Sequence, residues 1–224
     1  MREREYPNRG IVAFSGYDRP CHSGKIKLAT RHGVNDARMP GTTISVSSHL
    51  TGAPEEAMTI RYSKIAFVAA IALFASLVAF GNITDYASNF AFVQHVLQMD
   101  SLFPTATIRY RAVESPLLHH SAYIVIIVLE ALTALLCWIG AYRLLKRVKS
   151  PARDFNRAKN IAICGLSLGF LVWQVGFMSI GGEWFGMWMS EQWNGVPSAF
   201  RFLVTIILVL IYLIQHDGDT DEQS

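Results

Sequence analysis

Four long apolar runs constrain the fold of this chain more than any other feature. They cover residues 65–83, 121–145, 161–180 and 197–214, and the last run reaches spanning length only by including Arg201. About 20 apolar residues in an α-helix cross the hydrocarbon core of a bilayer. The pattern therefore predicts an all-α fold, an integral membrane four-helix bundle.

The segments between the runs differ in charge, and this difference predicts the orientation. The linker between the second and third runs is rich in Lys and Arg, whereas residues 181–198 carry Glu183 and Glu191 and no base. A Lys and Arg excess marks the cytoplasmic side of a membrane protein. We therefore expect both ends of the unit in the cytoplasm and residues 84–118 and 181–198 outside. The basic residues of the membrane unit cluster beside its apolar runs, so the net charge of +3 does not indicate nucleic-acid binding.

The flanks of the membrane unit are polar. Residues 1–57 are rich in Arg, Gly, Ser and Thr, a composition that buries too little apolar surface to fold alone. We interpret them either as a disordered cytoplasmic tail or as a mis-annotated extension upstream of a true start at Met58. Residues 58–214 then form the four-transmembrane-helix domain, and residues 215–224 form an acidic cytoplasmic tail.

A fifth helix is predicted in the first outer linker. The apolar residues Tyr86, Phe90, Val93 and Leu97 recur at the spacing of one helix face, and Asp85 is a suitable N-cap. This pattern is typical of a short amphipathic helix on the outer surface of a membrane.

Several spaced motifs resemble a known family. They are Asn82-Ile83-Thr84-Asp85-Tyr86, His119-His120-Ser121-Ala122-Tyr123 with Glu130, Asn156-Arg157-Ala158-Lys159, Gly181-Gly182-Glu183-Trp184-Phe185 and Trp193-Asn194-Gly195. Together they resemble the bacterial family of predicted small integral membrane proteins of unknown function, over residues 58–214. The resemblance implies a location in the bacterial inner membrane. It brings no activity, cofactor or catalytic residue.

Glu130 is the sharpest candidate for a functional residue. It lies ten residues beyond His120, which places it about 15 Å below the outer interface. A carboxyl group at that depth must be paired, hydrated or neutral. His119, Tyr123, Glu130 and Thr133 share one helix face, and this polar stripe could relay protons or line a cavity. The alternative is a structural hydrogen bond to a neighbouring helix, for which Gln174 is the expected partner.

Three histidines, His95, His119 and His120, lie on the predicted outer side. Two histidines from different helices could ligate a haem, and three could hold a metal ion. Adjacent residues on a helix point about 100° apart, however, so His119 and His120 are poorly placed to share one ion. We predict no metal site, and we favour interfacial histidines hydrogen-bonded to Asp85, Glu114 or lipid phosphate.

Two further interactions are predicted near the membrane helices. Arg201 lies just inside an apolar run, so we expect an ion pair with Glu183. Gly165, Gly169 and Gly176 share a face of the third helix, and small residues allow close helix packing. We therefore expect protein partners or a homo-oligomer to associate through Gly165 and Gly169.

The sequence is compatible with three classes of function. Since the chain has no catalytic motif, we predict a non-enzymatic accessory subunit of a membrane complex that contacts the lipid bilayer. One alternative is a small-solute or proton transporter or channel using Glu130. The other is a haem- or quinone-binding redox protein using His95 with His119 or His120, and haem is the one cofactor considered.

Overall fold

The computed structural model describes residues 53–219, and the remainder of the predicted N-terminal segment and of the acidic tail lies outside them. The α-helices are α1 (Ala53–Thr84), α2 (Tyr86–Gln98), α3 (Pro116–Lys146), α4 (Ala152–Ala158), α5 (Asn160–Leu171) and α6 (Val196–Ile214). A π-helix over Val172–Trp184 continues α5 directly. We call the stretch Ala152–Trp184 the third span. The described part of the chain contains no β-strand, only an isolated bridge between Leu102 and Ser190.

Four of these helical stretches are long and apolar enough to cross a membrane. They are Glu55–Thr84, Pro116–Lys146, Ala152–Trp184 and Val196–Ile214. No more than 33% of the apolar window of each span is buried inside the bundle, so about two thirds or more of its residues keep some exposed surface. Such continuous apolar surface is stable against lipid and not against water. The predicted all-α membrane bundle of four helices is confirmed.

Two helices begin earlier than their apolar runs. α1 begins at Ala53, not at residue 65, and α3 begins at Pro116, not at residue 121. Ser115 occupies the N-cap position before Pro116, although its side chain makes no capping hydrogen bond. Polar residues extend these helices because a helix satisfies its own backbone hydrogen bonds on either side of the membrane boundary.

Close packing between α3 and the third span depends on small residues. A β-carbon added at Gly140 would stand 2.6 Å from the Ala162 Cα, and one added at Gly165 would stand 2.8 Å from the Cys137 Sγ. Real β-carbons do not approach other atoms this closely, so only glycine permits the observed helix separation. Gly165 therefore packs against α3 of the same chain.

The short amphipathic helix is present as α2, and it packs on α3. The Phe90 ring stacks on the His120 ring with centroids 4.1 Å apart, and Tyr86 meets Tyr123 edge-to-face at 4.8 Å. Asp85 occupies the N-cap position without a side-chain capping bond. The apolar face of α2 thus contacts the bundle itself.

The bundle has two chemically distinct ends. The basic end comprises the start of α1, the α3–α4 turn, α4 and the end of α6. The aromatic end comprises α2 and the segments 99–115 and 185–195. Met99, Leu102 and Phe185 are buried together at the aromatic end and join these two segments.

Candidate functional site

Glu130 lies on the buried face of α3, where the structure also places His119, Tyr123, Thr133 and Cys137. Only 3% of its surface is exposed. These residues recur at helical spacing, which explains why a single face carries them all into the interior. The predicted polar stripe is therefore a buried stripe of α3.

The hydrogen-bond partner of Glu130 is Asn82, near the end of α1. The Asn82 Nδ2 donates to Glu130 Oε2 at 2.7 Å, and the Tyr123 hydroxyl donates to the Asn82 carbonyl oxygen at 2.9 Å. Asn82 thus contacts both the carboxyl group and the tyrosine that lies about two turns away on α3. Asn82 is half-buried, and its side-chain amide and backbone carbonyl pair two polar groups that would otherwise be unpaired in an apolar medium.

A small cavity lies beside the carboxyl group. It has a volume of ≈10 Å³ and is lined by Glu130, Thr133, Gly169, Trp173 and neighbouring apolar side chains. About 10–15 Å³ is the space that one buried water requires. Thr133 donates its hydroxyl to the Leu129 carbonyl at 2.9 Å. The arrangement offers the carboxyl group one amide donor and room for one water.

The expected contact between Glu130 and Gln174 is wrong. Gln174 is half-buried, and its backbone carbonyl accepts a hydrogen bond from the Ser179 hydroxyl at 3.0 Å. The reason is the π-helix that begins at Val172. Its hydrogen bonds run from residue i to i+5, so a face extrapolated at 3.6 residues per turn no longer applies. Asn82 was missed as the partner because it ends an apolar run and looked like an interfacial residue.

The three histidines have separate environments. His95 Nδ1 lies 2.7 Å from Asp100 Oδ2, and the His95 ring stacks on Trp193 at 4.5 Å. His120 Nδ1 lies 2.8 Å from the Tyr86 hydroxyl. Across residues 53–219, no three His, Cys, Asp or Glu side chains converge on a possible metal position. The partners expected from sequence, Asp85 and Glu114, are replaced by Asp100 and Tyr86.

His119 differs from the other two because it is fully buried. Its Nε2 lies 2.7 Å from the Val113 carbonyl oxygen, and its Nδ1 is buried without a partner in the described structure. A carbonyl oxygen only accepts, so Nε2 carries the hydrogen. This contact ties the segment before α3 to the start of that helix.

The expected ion pair between Arg201 and Glu183 is also wrong. The Arg201 Nη2 donates to the Ser198 hydroxyl at 3.0 Å, and both Arg201 and Glu183 are exposed. Salt bridges among residues 53–219 involve only Lys64 or Lys159 with Asp217 and His95 with Asp100. Arg201 points outwards because the inward face of α6 is occupied by Ala199, Leu203 and Ile206.

The glycines of the third span divide into two groups. Gly165 and Gly169 face α3, and a β-carbon at Gly169 would lie 2.9 Å from the Thr133 Cγ2. They are buried inside the chain, which overturns their predicted use in association with another chain. Gly176 is different, because a β-carbon there would meet no heavy atom within 4 Å.

Gly176 lines an apolar cleft of ≈490 Å³ between α2, α3 and the third span. The close packing of α3 on the third span ends near Gly169, and the π-helix then diverges from α3. Phe185 and Met187 line the cleft at the aromatic end. Sequence reasoning missed this cleft because it depends on that divergence.

A cluster of charged side chains closes the basic end. Lys64 Nζ donates to Asp217 Oδ2 at 2.7 Å, and Lys159 forms a second salt bridge with the same carboxylate. Arg61 Nη2 donates to the Gly218 carbonyl at 2.7 Å. We call residues 215–219 the C-terminal clasp. Its role was missed because charged residues beside a membrane helix usually indicate orientation alone.

Comparison with known proteins agrees with this architecture. No curated protein and no solved structure matches the chain. The model of one family, described as predicted small integral membrane protein, matches residues 60–216. That match includes all four spans except the first five residues of the first, and it ends inside the clasp. The chain therefore belongs to the family of predicted small integral membrane proteins, domain of unknown function family 2165.

Proposed function

We propose that the protein is a non-enzymatic accessory subunit of a membrane complex. The observation that carries this proposal is Arg201, which stands exposed on α6 without a carboxylate partner among residues 53–219. It lies five residues past Val196, or about 8 Å into the helix. A cation near lipid is costly unless it reaches the interface or meets an opposite charge.

The surroundings of Arg201 suit a helix of another subunit. Ser198, Arg201 and Thr205 recur at i, i+3 and i+7, so they share a face of α6. Ser198 and Thr205 already hydrogen-bond to the side chain and backbone of Arg201, respectively. Polar side chains on one face bond across helices in membranes. We infer that a carboxylate of a partner subunit pairs with Arg201.

Arg201→Gln tests this proposal. We expect native complexes extracted from the membrane in mild detergent to fall at least tenfold in abundance, since truncating one partner of a desolvated ion pair costs about 2–5 kcal/mol. Arg201→Lys should restore part of the association because it keeps the charge. Arg153→Gln, an exposed arginine of α4, serves as the matched control.

Two outcomes would count against the accessory role. One is a wild-type chain that migrates alone after mild extraction from its native membrane. The other is an Arg201→Gln variant that assembles as the wild type does, which would mean that Arg201 reaches lipid phosphate instead.

We further propose that the protein lies in the bacterial inner membrane with the basic end in the cytoplasm. The Lys and Arg excess of residues 143–159 supports this orientation. A reporter inserted near residue 150 should be active only inside the cell, and one inserted near residue 105 only outside. Reversed activities would contradict the proposal.

A second candidate function rests on the cavity beside Glu130. The Glu130 carboxyl group, with space for one water beside it, could take up and release a proton. Glu130→Gln keeps the size and the hydrogen-bonding capacity of the side chain. If proteoliposomes of the wild type carry protons and Glu130→Gln assembles without carrying them, transport is favoured. Absence of proton flux in the wild type would rule it out.

A further inference from the structure

The apolar cleft between α2, α3 and the third span has no assigned occupant. Its volume of ≈490 Å³ lies within the range of about 300–1,000 Å³ that is usual for small-molecule sites. We propose that one acyl chain of a phospholipid occupies this cleft, with the lipid phosphate bound by Arg111. This proposal is independent of the partner suggested at Arg201.

The cleft is too small to enclose a transmembrane helix. A helix 10 Å in diameter that rises 5.4 Å per turn fills about 420 Å³ per turn. The cleft would therefore hold little more than one turn, whereas a spanning helix has more than five turns. A single flexible hydrocarbon chain fits the available volume and the apolar lining.

The cleft opens sideways to the surroundings of the bundle. Val125 on α3 and Val175 on the third span form its two edges, and they are 55% and 45% exposed. Because both helices span the membrane, this opening faces lipid. A hydrocarbon chain can enter from the bilayer without crossing water.

Arg111 stands at the end of the cleft where a headgroup would lie. Its Nη1 donates to the Trp184 carbonyl at 3.2 Å, and its guanidinium lies 4.6 Å from the centre of the Trp184 ring. Trp184 directly precedes Phe185, which lines the cleft. Tryptophan rings favour the headgroup level of a bilayer.

The guanidinium has capacity left for a phosphate. Within the described residues, Nη1 and Nε of Arg111 have hydrogen-bond acceptors and Nη2 has none. Guanidinium groups bind phosphate through two parallel hydrogen bonds. Glu183, exposed beside Trp184, suits a headgroup that also carries an ammonium group, as phosphatidylethanolamine does.

Native mass spectrometry of the delipidated full chain, titrated with phosphatidylethanolamine in detergent, tests the proposal. We expect one lipid per chain. Gly176→Phe should reduce binding at least tenfold because the ring fills the cleft. Gly81→Phe should bind normally, since Gly81 is the matched helical glycine whose added β-carbon also meets nothing within 4 Å, and it lies outside the cleft.

Arg111→Gln tests the binding of the lipid headgroup separately from the binding of the acyl chain. It should weaken phosphatidylethanolamine binding roughly tenfold, the loss of one charge-assisted hydrogen bond. Diacylglycerol with the same acyl chains has no phosphate, so it should bind the wild type and Arg111→Gln equally.

The proposal is overturned if the wild type retains no lipid, or if Gly176→Phe binds as Gly81→Phe does. Equal binding of phosphatidylethanolamine by Arg111→Gln and the wild type overturns the headgroup assignment. Arg201→Gln should leave lipid binding unchanged. A failure of the lipid proposal can therefore be distinguished from a failure of the proposed accessory role.

Discussion

At the scale of single residues, the buried carboxyl group of Glu130 is stabilised by a hydrogen bond from Asn82. The Asn82 side chain donates to it from α1, and the Asn82 backbone carbonyl accepts from Tyr123, so one residue satisfies both polar side chains of α3. Interhelical hydrogen bonds in membranes contribute about 0.6 kcal/mol on average and at most about 1.7 kcal/mol. We therefore expect the hydrogen bond between Asn82 and Glu130 to make a modest but measurable contribution to the free energy of unfolding.

We predict that Glu130 and Asn82 are energetically coupled. In a double-mutant cycle of Glu130→Ala and Asn82→Ala, the coupling in the free energy of unfolding should be about 0.6–1.7 kcal/mol. Unfolding in detergent supplies the measurement. The control cycle pairs Glu130→Ala with Gln174→Ala and should be additive. Coupling to Gln174 in place of Asn82 would contradict the observed contact.

At the scale of elements, the third span changes character along its length. Its α-helical part, α5, packs on α3 through glycine, and its π-helical part separates from α3 and opens the cleft. A π-helix has wider turns than an α-helix and is frequent at functional sites. The same span therefore contributes both close packing on α3 and the lining of the apolar cleft.

We predict opposite effects of leucine at two glycines of this span. Gly165→Leu should lower the free energy of unfolding by about 1–3 kcal/mol through overpacking against Cys137. Gly176→Leu should leave it unchanged or raise it by up to about 1 kcal/mol, because glycine is a poor helix former. Thermal unfolding in detergent distinguishes them. Equal destabilisation would show that Gly176 is packed.

At the scale of the whole molecule, the C-terminal clasp joins the two ends of the chain's membrane unit. Its Asp217 is 5% exposed and binds lysines from α1 and the third span. Asn156 adds a hydrogen bond from Nδ2 to the Asp217 carbonyl at 2.9 Å, and the Ala152 amide donates to the Asp219 carboxylate at 2.6 Å. The clasp therefore fixes α1, the third span and α6 relative to one another at the basic end.

We predict that Asp217→Asn destabilises the fold by about 3–5 kcal/mol, because it leaves Lys64 and Lys159 buried without a counter-charge. The melting temperature of the purified protein measures this loss. Asp154→Asn removes an exposed carboxylate of the same end and should have little effect. Adding Lys159→Met to Asp217→Asn should recover part of the stability, and no recovery would contradict the role of charge.

Local properties of the sequence were sufficient for the spans, the polar face of α3 and the amphipathic helix. Apolar length determines the first, and helical periodicity the other two. Periodicity failed at Gln174, where the helix type changes. It could not identify Asn82 as the partner of Glu130, because pairing depends on which helix of the bundle lies opposite.

The length and number of the apolar runs by themselves thus determined that the chain crosses a membrane in four helices. An apolar run of sufficient length is stable as a helix in a bilayer wherever it lies in the sequence. Only the tertiary structure decided that Gly165 and Gly169 pack inwards, that Arg201 stands apart from Glu183, and that the chain's own C-terminal segment neutralises the buried lysines. Each of these depends on the distance between residues remote in sequence, which no local pattern encodes.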